Sequence, residues 1–542
     1  MTKVSSKKHI QHLLNVFAAC GVLDIVCSPG SRNAPLMVSF AEDSRFQTHI
    51  VPDERSAGFI GLGMCTPQSP VVLVCTSGSA AINYGPAISE AFFTQKNLIA
   101  LTADRPLGSL EQWESQTINQ SDLFRNYCSH FIAINDGLPF PKQAEVNELD
   151  FLLKSGPVQL NYHLSEPLYE FELVAQKKLN PIVHYSAEQG NQLPIPNGEK
   201  VLFLFGQIPE QEVKEIEETI LSYPHSQTVF LSENTNHFSG TTIDTIDTTL
   251  SALPPDDKAF VPDTLVTYGR LLISRKIKQW LKAKGIKTHL HFHDEHSSFN
   301  PFLSKNIQAK KANFNLALKQ YLITKESGIF DRLWYDCQAK SEKRTTIFCS
   351  DQAPYSDLLV FNFLNQALPK KGLFHVANSS AIRYFQLFGW TGLPVYCNRG
   401  VSGIDGSNST AWGHAAKTNK PTYLITGDIS FHYDSNFAWN SIKPEHFKVI
   451  LINNGGGGIF RFIPGPDTTE QLESHFEFSH KRSAENWAQE FGFPYYCASN
   501  LDELKKAYQT FIEAPNRGLL EIFTPPQING EVLRNFFKYI AS

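Results

Sequence analysis

Slid along itself by 351 positions, the chain meets its own pattern again, and this internal repeat constrains the fold more than any other feature. Gly21 falls on Gly372, Ser28 and Arg32 fall on Ser379 and Arg383, and Pro70-Val-Val-Leu-Val falls on Pro421-Thr-Tyr-Leu-Ile. The apolar run Leu98–Leu101 falls on Val449–Ile452. One gapless offset held from Gly21 to Leu101 predicts two copies of one folding unit. Any two units of alternating strands and helices share some of this spacing, but here Gly, Pro and Arg coincide as well. In the first copy a helical stripe, Ile10, Leu13, Leu14 and Phe17, precedes a short apolar strand at Val22–Val26. Strands at Val71–Cys75 and Leu98–Thr102 then flank a helix over Ala80–Phe93. Alternation of this kind predicts parallel sheets with helical crossovers.

Between the copies lies a third region. Leu193-Pro-Ile-Pro-Asn-Gly198 reads as a linker. Strands at Val201–Phe205 and Thr228–Leu231 enclose a helix-like stretch, Ile208–Ile220, without a GxGxxG fingerprint. The expected architecture is α/β throughout: three consecutive α/β domains with parallel sheets, over 1–180, 199–340 and 345–542, the first and third alike. A chain of 542 residues has room for three domains. Its 42% hydrophobic and 19% charged content excludes a disordered chain. The net charge of -5 gives no reason to expect a nucleic-acid partner. The nine cysteines are scattered without a CxxC and read as buried free thiols of a reducing compartment. No apolar run approaches the ~18 residues of a membrane span, and Met1–Ile10 has no signal-type apolar core. A cytoplasmic protein with no membrane partner is expected.

The residues with chemistry lie mostly at strand ends. The strand Tyr423–Thr426 runs into Gly427-Asp428-Ile429-Ser430, and the next strand runs into Asn453-Asn454-Gly-Gly-Gly-Gly458. Both are carboxyl ends of neighbouring strands, where open α/β sheets bind ligands. A carboxylate, an amide oxygen and a carbonyl freed by glycine are hard oxygen donors suited to Mg²⁺, which completes its octahedron with phosphate and water. The N–H groups of Ile429 and Ser430 open a helix and suit a phosphate. Taken one at a time, these are ordinary turns. Together, at this spacing, they read as a metal–diphosphate site.

The Gly-Asp and Asn-Asn pair resembles the motif of thiamine-diphosphate (ThDP) enzymes, with Ile429 where that motif usually has a second Gly. More closely, the chain resembles the 2-succinyl-5-enolpyruvyl-6-hydroxy-3-cyclohexene-1-carboxylate synthase family of menaquinone biosynthesis, in which an apolar residue and Ser follow Gly-Asp. The further motifs that carry the resemblance are Ser28-Pro-Gly-Ser-Arg32, Asp53-Glu-Arg55, Thr102-Ala-Asp-Arg-Pro106 and Asn398-Arg-Gly-Val-Ser-Gly-Ile-Asp405. They span both outer domains; the middle domain is only weakly similar.

The resemblance implies a ThDP-binding fold and a transferase that needs ThDP and Mg²⁺, with Mn²⁺ as an alternative metal. It implies decarboxylation of 2-oxoglutarate and 1,4-addition of the resulting carbanion to isochorismate. Glu54, Arg32, Gln116 and Arg399 form the implied catalytic set, with Glu54 against N1′ of the aminopyrimidine. From its position alone, Glu54 reads as an ordinary acidic residue at a helix N-terminus. Asp428, Asn454 and the Gly456 carbonyl are the implied metal ligands, and Gly427, Ile429, Ser430, Ile404 and Ile459 the further cofactor contacts. Ile404 reads equally as a wedge under a bent cofactor or as core after a glycine turn. Both substrates are dicarboxylates, which arginines pair well. By resemblance Ser31, Arg32, Arg105 and Gln116 face isochorismate, while Ser379, Arg383 and Arg399 face the 2-oxoglutarate-derived part. Arg275 and Lys276 are the candidates for a basic pair from the middle domain. Ile459, Phe460 and Ile463 read as an apolar wall, or as packing of a short helix. In this superfamily the Glu-bearing domain of one subunit faces the diphosphate-bearing domain of another, so a homodimer or homotetramer is implied.

Two alternatives stand beside this reading. One is another ThDP-dependent decarboxylase or carboligase, of acetohydroxyacid-synthase type. The other is a non-catalytic protein that kept the folds, against which Glu54, Asp428 and Asn454 argue together. His289, His291 and His293 share one strand face beside Asp294, Glu295 and His296, a pattern open to zinc. Alternate side chains lie ~7 Å apart along a strand, which is awkward for one ion, so a packed or solvated strand is the preferred reading.

Overall fold

The computed structural model describes residues 2–66, 69–110, 112, 115–153, 156–176, 195–223, 228–236, 238–293, 301–302, 305–325, 328–390, 395–462 and 465–542. Three parallel sheets follow one another along the chain. The first is ordered Gln47–Ile50, Asp24–Cys27, Val71–Cys75, Leu98–Asp104, Val158–His163, His130–Asn135. The third is ordered Val395–Tyr396, Leu373–Val376, Thr422–Gly427, Phe447–Asn453, Gly518–Phe523, Tyr495–Ala498. Counted within its own domain, each reads 2-1-3-4-6-5, so the repeat is one of topology. The middle sheet, Val229–Ser232, Val201–Phe205, Thr264–Tyr268, Thr288–Phe292, Lys305–Ala309, reads 2-1-3-4-5. Inner strands such as Val71–Cys75 and Val201–Phe205 are buried along their whole length. Helices cover both faces of a parallel sheet, which is why these strands are continuous apolar runs.

The register corrects the gapless offset. Val71 and Thr422 occupy the same place in their sheets, 351 residues apart. Asp24 lies opposite Val71 where Leu373 lies opposite Thr422. Leu98 lies opposite Val71 where Phe447 lies opposite Thr422. Both flanking strands are therefore related by 349 positions. A slip of two residues keeps every side chain on its own face, whereas a slip of one would invert the core. One consequence is that Ser28 corresponds to Ala377, since their N–H groups bond to Val74 O and Ile425 O. Arg32 and Arg383 are not equivalents: one lies in a turn, the other within the helix Ser380–Phe385.

The helix expected over Ala80–Phe93 is two pieces, Ser79–Ile82 and Gly85–Thr94. Pro86 sits in the first turn of the second piece, where its missing N–H costs nothing. Of the expected linker, residues 193 and 194 lie outside the described residues, and 195–198 form neither helix nor strand. Across the boundary expected at 340–345 the helix Ile329–Asp351 runs unbroken. Its first half sets Trp334 edge-to-face with Phe260, centroids 5.8 Å apart, and its second half sets Phe348 edge-to-face with Phe536 at 5.5 Å.

The outer domains meet directly. The helix Glu54–Met64 lies against Ser407–Thr418 so closely that a Cβ on Gly63 would sit 2.1 Å from Thr410 O. A Cβ on Gly413 would sit 2.1 Å from Ile60 O. Lys417 pairs with Asp24 at 2.5 Å, and Asn436 donates to Asp53 at 2.8 Å. Of the alternating histidines, His289 and His291 share the Thr267 hydroxyl, each at 2.7 Å. Burial holds the His291 ring down to about 3, and Asp294, Glu295 and His296 lie outside the described residues. All nine cysteines are free thiols. Among the described residues no helix is long and apolar enough to cross a membrane.

Candidate active site

In both outer sheets the strand order reverses between the first and third strands, which opens a crevice at their carboxyl ends. In the third domain that crevice is flanked by Ser379, after Leu373–Val376, and by Gly427-Asp428, after Thr422–Gly427. Asp428 is 2% exposed. Its Oδ1 accepts the Ile429 N–H at 2.7 Å and its Oδ2 the Gly456 N–H at 2.9 Å. Burial, with Asp357 nearby, pushes this carboxyl up to about 7. Asn454, two residues before Gly456 on the same loop, is 7% exposed, its Oδ1 buried without a hydrogen-bond partner. Gly456 has φ +152°, and a Cβ there would lie 2.7 Å from Glu477 O. Glycine at 456 is thus required by the close passage of Glu477, which ends the helical turn Leu472–Phe476, and the loop comes back onto Asp428 there. A buried carboxylate and an orphaned amide oxygen fit a hard divalent cation. Of the two N–H groups expected to face a phosphate, that of Ile429 is engaged by Asp428, and the Ser430 hydroxyl donates to Ile404 O at 2.7 Å.

Ile404 is only half-buried and takes no part in the hydrophobic core. The loop that carries it is held from the first domain. Glu90, 1% exposed on the helix Gly85–Thr94, accepts the N–H groups of Gly400 and Val401, both at 2.8 Å. Arg399, in the same loop, donates from Nη1 to Asn378 Oδ1 at 2.9 Å.

Arg399 belongs to a group of four cations. Desolvation lowers the Lys278 ammonium pKa; Glu233 opposes this, and Arg399, Arg275 and Arg383 add to it. Burial lowers the Arg383 guanidinium in the same way, with Arg399 and Arg275 adding to it. None of the four forms an ion pair among the described residues. The nearby carboxylates are engaged elsewhere: Glu233 accepts the N–H groups of Ile273 and Ser274, and Asp247 accepts the Ser274 hydroxyl. Burial pushes Glu233 up to about 7. The Nε atoms of Arg383 and Arg399 are buried without a partner. Such a cluster is built for an anion.

Lys276 does not join it. Its Nζ donates to Ser251 at 2.8 Å and lies 3.1 Å over the Phe537 ring, and burial lowers it to about 8. On the helix Arg275–Lys284, residues three apart share a face and adjacent ones do not. Lys278 therefore lies on the face of Arg275, and Lys276 does not.

The first domain forms a second cluster. Glu54 opens the helix Glu54–Met64, but the cap is Asp53, whose Oδ1 accepts from Arg55 and Ser56 N–H. Glu54 is thus not needed as a cap, and burial, with Asp53 adjacent, raises its carboxyl. Arg32 is buried, donating to Leu164 O at 3.0 Å and pairing with Glu166 at 3.2 Å. Arg105 donates to Ser115 O at 3.0 Å; Ser31 and Gln116 are exposed. Gln116 has φ +56°, and its backbone rides over Gly78. Beneath these residues Gln120, Asn161 and Asp104 form a buried chain of hydrogen bonds. No hydrogen bond or ion pair joins Glu54 to Asp428, Asn454, Arg383 or Arg399 among the described residues. Ile459 and Phe460 are half-buried in the turn Gly458–Arg461, with Phe460 5.6 Å from Phe476. Ile463 lies outside the described residues.

The sequence reading missed Glu90, Glu233, Lys278, Asp357 and Gln120. A lone carboxylate within an apolar stretch marks the first two, Glu90 in Ala87-Ile-Ser-Glu-Ala-Phe and Glu233 after Val229-Phe-Leu. Asp357, after Ser356 at a helix start, looks like any first-turn acid.

Residues 8–123 match the family model described as thiamine pyrophosphate enzyme, N-terminal TPP binding domain. A Flavobacterium johnsoniae protein is 36% identical with 98% of each chain covered, and one from Flavobacterium psychrophilum is 36% identical with the same coverage. One from Porphyromonas gingivalis is 32% identical over 99% of this chain and 98% of its own. All three are named 2-succinyl-5-enolpyruvyl-6-hydroxy-3-cyclohexene-1-carboxylate synthase.

Proposed function

The chain belongs to the 2-succinyl-5-enolpyruvyl-6-hydroxy-3-cyclohexene-1-carboxylate synthase family, and from that premise we propose that it joins 2-oxoglutarate, with loss of CO₂, to isochorismate, using thiamine diphosphate and Mg²⁺. The observation that carries the substrate class is the group Arg275, Lys278, Arg383 and Arg399, four cations with no ion-pair partner among the described residues. A dicarboxylate satisfies them; pyruvate has no second carboxylate to offer.

When bound, thiamine diphosphate supplies the electron sink for the decarboxylation. The residues bind, orient and shield. Asp428, the Asn454 Oδ1 and the Gly456 carbonyl hold the metal, and Mn²⁺ suits the same donors. Glu54, its pKa raised by burial, keeps a proton in play at N1′ of the aminopyrimidine. Ile404 would support the bound cofactor. Arg383 and Arg399, with Ser379, orient the 2-oxoglutarate carboxylates, and bidentate pairing fixes both distance and angle. Arg32, Arg105, Ser31 and Gln116 receive isochorismate. Ile459 and Phe460 exclude water from the reacting carbon. Assembly of two or four copies, in the cytoplasm, belongs to the same reading.

Isochorismate consumption in the presence of 2-oxoglutarate, with and without thiamine diphosphate and Mg²⁺, tests it. Consumption that needs all three additions is expected. No consumption by protein that still binds the cofactor would move the substrates to another carboligase reaction.

A further inference from the structure

Behind Asn454 stands a group that touches no ligand site directly. Asp357, 2% exposed, is the first residue of the helix Asp357–Ala367. Its Oδ2 accepts from Asn454 Nδ2 at 2.8 Å, and its Oδ1 accepts from the Thr524 hydroxyl at 2.6 Å. Its own backbone N–H donates to Asn529 Oδ1 at 2.9 Å. Thr524, 5% exposed, is anchored in turn by its N–H on Asn453 O at 3.1 Å. The opposite end of the Asn454 carboxamide, Oδ1, is buried without a partner, on the loop whose Gly456 N–H bonds to Asp428.

A carboxamide has two ends of nearly the same shape and opposite chemistry. Turned by half a rotation, Asn454 would present an NH₂ group to a cation and lose the bond entirely. A carboxylate accepts and does not donate, so Asp357 binds only the NH₂ end and leaves Oδ1 facing forward. Thr524 donates to the other carboxylate oxygen and holds Asp357 in the required rotamer. We propose that Asp357, locked by Thr524, is a positioning residue that sets the Asn454 carboxamide oxygen toward the divalent cation. The inference rests on the reading of Asp428, Asn454 and Gly456 as the metal site. Groups behind metal ligands commonly govern affinity by 10–100-fold.

The test is a metal titration of the full chain at saturating thiamine diphosphate, by calorimetry with Mg²⁺ and with Ca²⁺ and by electron paramagnetic resonance with Mn²⁺. Wild type, Asp357→Asn, Thr524→Val and Asp428→Asn are compared, with circular dichroism as the check on folding. Mg²⁺ demands near-ideal octahedral ligands, whereas Ca²⁺ tolerates irregular ones. Asp357→Asn is expected to weaken Mg²⁺ about 10–100-fold and Ca²⁺ distinctly less. Thr524→Val should change the Mg²⁺-to-Ca²⁺ ratio in the same direction by a smaller factor. Equal losses for the two ions, or none, would overturn the orienting role. If Asp357→Asn does not fold, the ratio in Thr524→Val decides by itself. Undiminished metal binding in Asp428→Asn would instead remove the site reading, and this inference with it.

Discussion

Glu54 and Lys278 show how much one residue's neighbours alter its meaning. Asp53 takes the capping duty at the helix start, which leaves the Glu54 carboxyl out of the cap, and burial raises it. Glu54→Gln keeps the shape and loses the titrating proton. It is expected to lower turnover by about 100-fold or more while thiamine diphosphate still binds; undiminished turnover with bound cofactor would remove Glu54 from the mechanism. Lys276 and Lys278 offer a paired comparison. Loss of a charge-assisted contact to a substrate carboxylate costs about 1.5–3 kcal/mol, so Lys278→Met should raise KM for 2-oxoglutarate roughly tenfold or more. Lys276→Met should leave that KM alone, because its ammonium lies over Phe537 and against Ser251. Equal effects of the two on KM would mean that the helix face does not select between them.

At the scale of elements, the contact between Glu54–Met64 and Ser407–Thr418 links the active-site halves to the core. Backbone meets backbone there, at Gly63 against Thr410 O and Gly413 against Ile60 O. Neither carbonyl can swing aside as a side chain would, so a methyl group forces the helices apart. Gly413→Ala is expected to cost about 3 kcal/mol or more of stability, read as a lower midpoint in denaturant. Gly108→Ala, which meets no atom within 4 Å, is the control and should stay within about 0.5 kcal/mol of wild type. A matched midpoint for both would mean the helices separate freely. Glu90 holds the loop that carries Arg399 and Ile404, so the helix pair, this carboxylate and the Lys417–Asp24 and Asn436–Asp53 contacts together hold the two outer domains in a set relation.

That set relation has a consequence for the whole molecule. Glu54 is locked in place by the helix pair, and no hydrogen bond or ion pair joins it to Asp428 or Asn454 of its own chain among the described residues. In the proposed reading a second copy completes the site, with the first domain of each facing the third domain of the other. Glu54→Gln and Asp428→Ala chains, each inactive alone, are therefore expected to regain about a quarter of wild-type activity when reassembled as a mixture, since half of random pairs contain one intact site of two. No recovery, with mixed oligomers demonstrated, would place the whole site within one chain.

What the sequence determined by itself was local. Apolar strands alternating with helical stripes, the glycine run after Asn454 and the motifs at strand ends announce three α/β sheets and the candidate site residues at strand ends, because period and backbone freedom are written in neighbouring residues. Even the repeat was legible, although its two-residue slip was not, since a slip of two leaves every face unchanged. Only the tertiary structure decided which buried carboxylates serve which loops: Glu90 on Gly400 and Val401, Glu233 on Ile273 and Ser274, Asp357 on Asn454. It also decided that Lys278 rather than Lys276 joins the arginines. These pairings join residues from about 40 to more than 300 positions apart, and a buried charge takes its partner from whatever element packs against it.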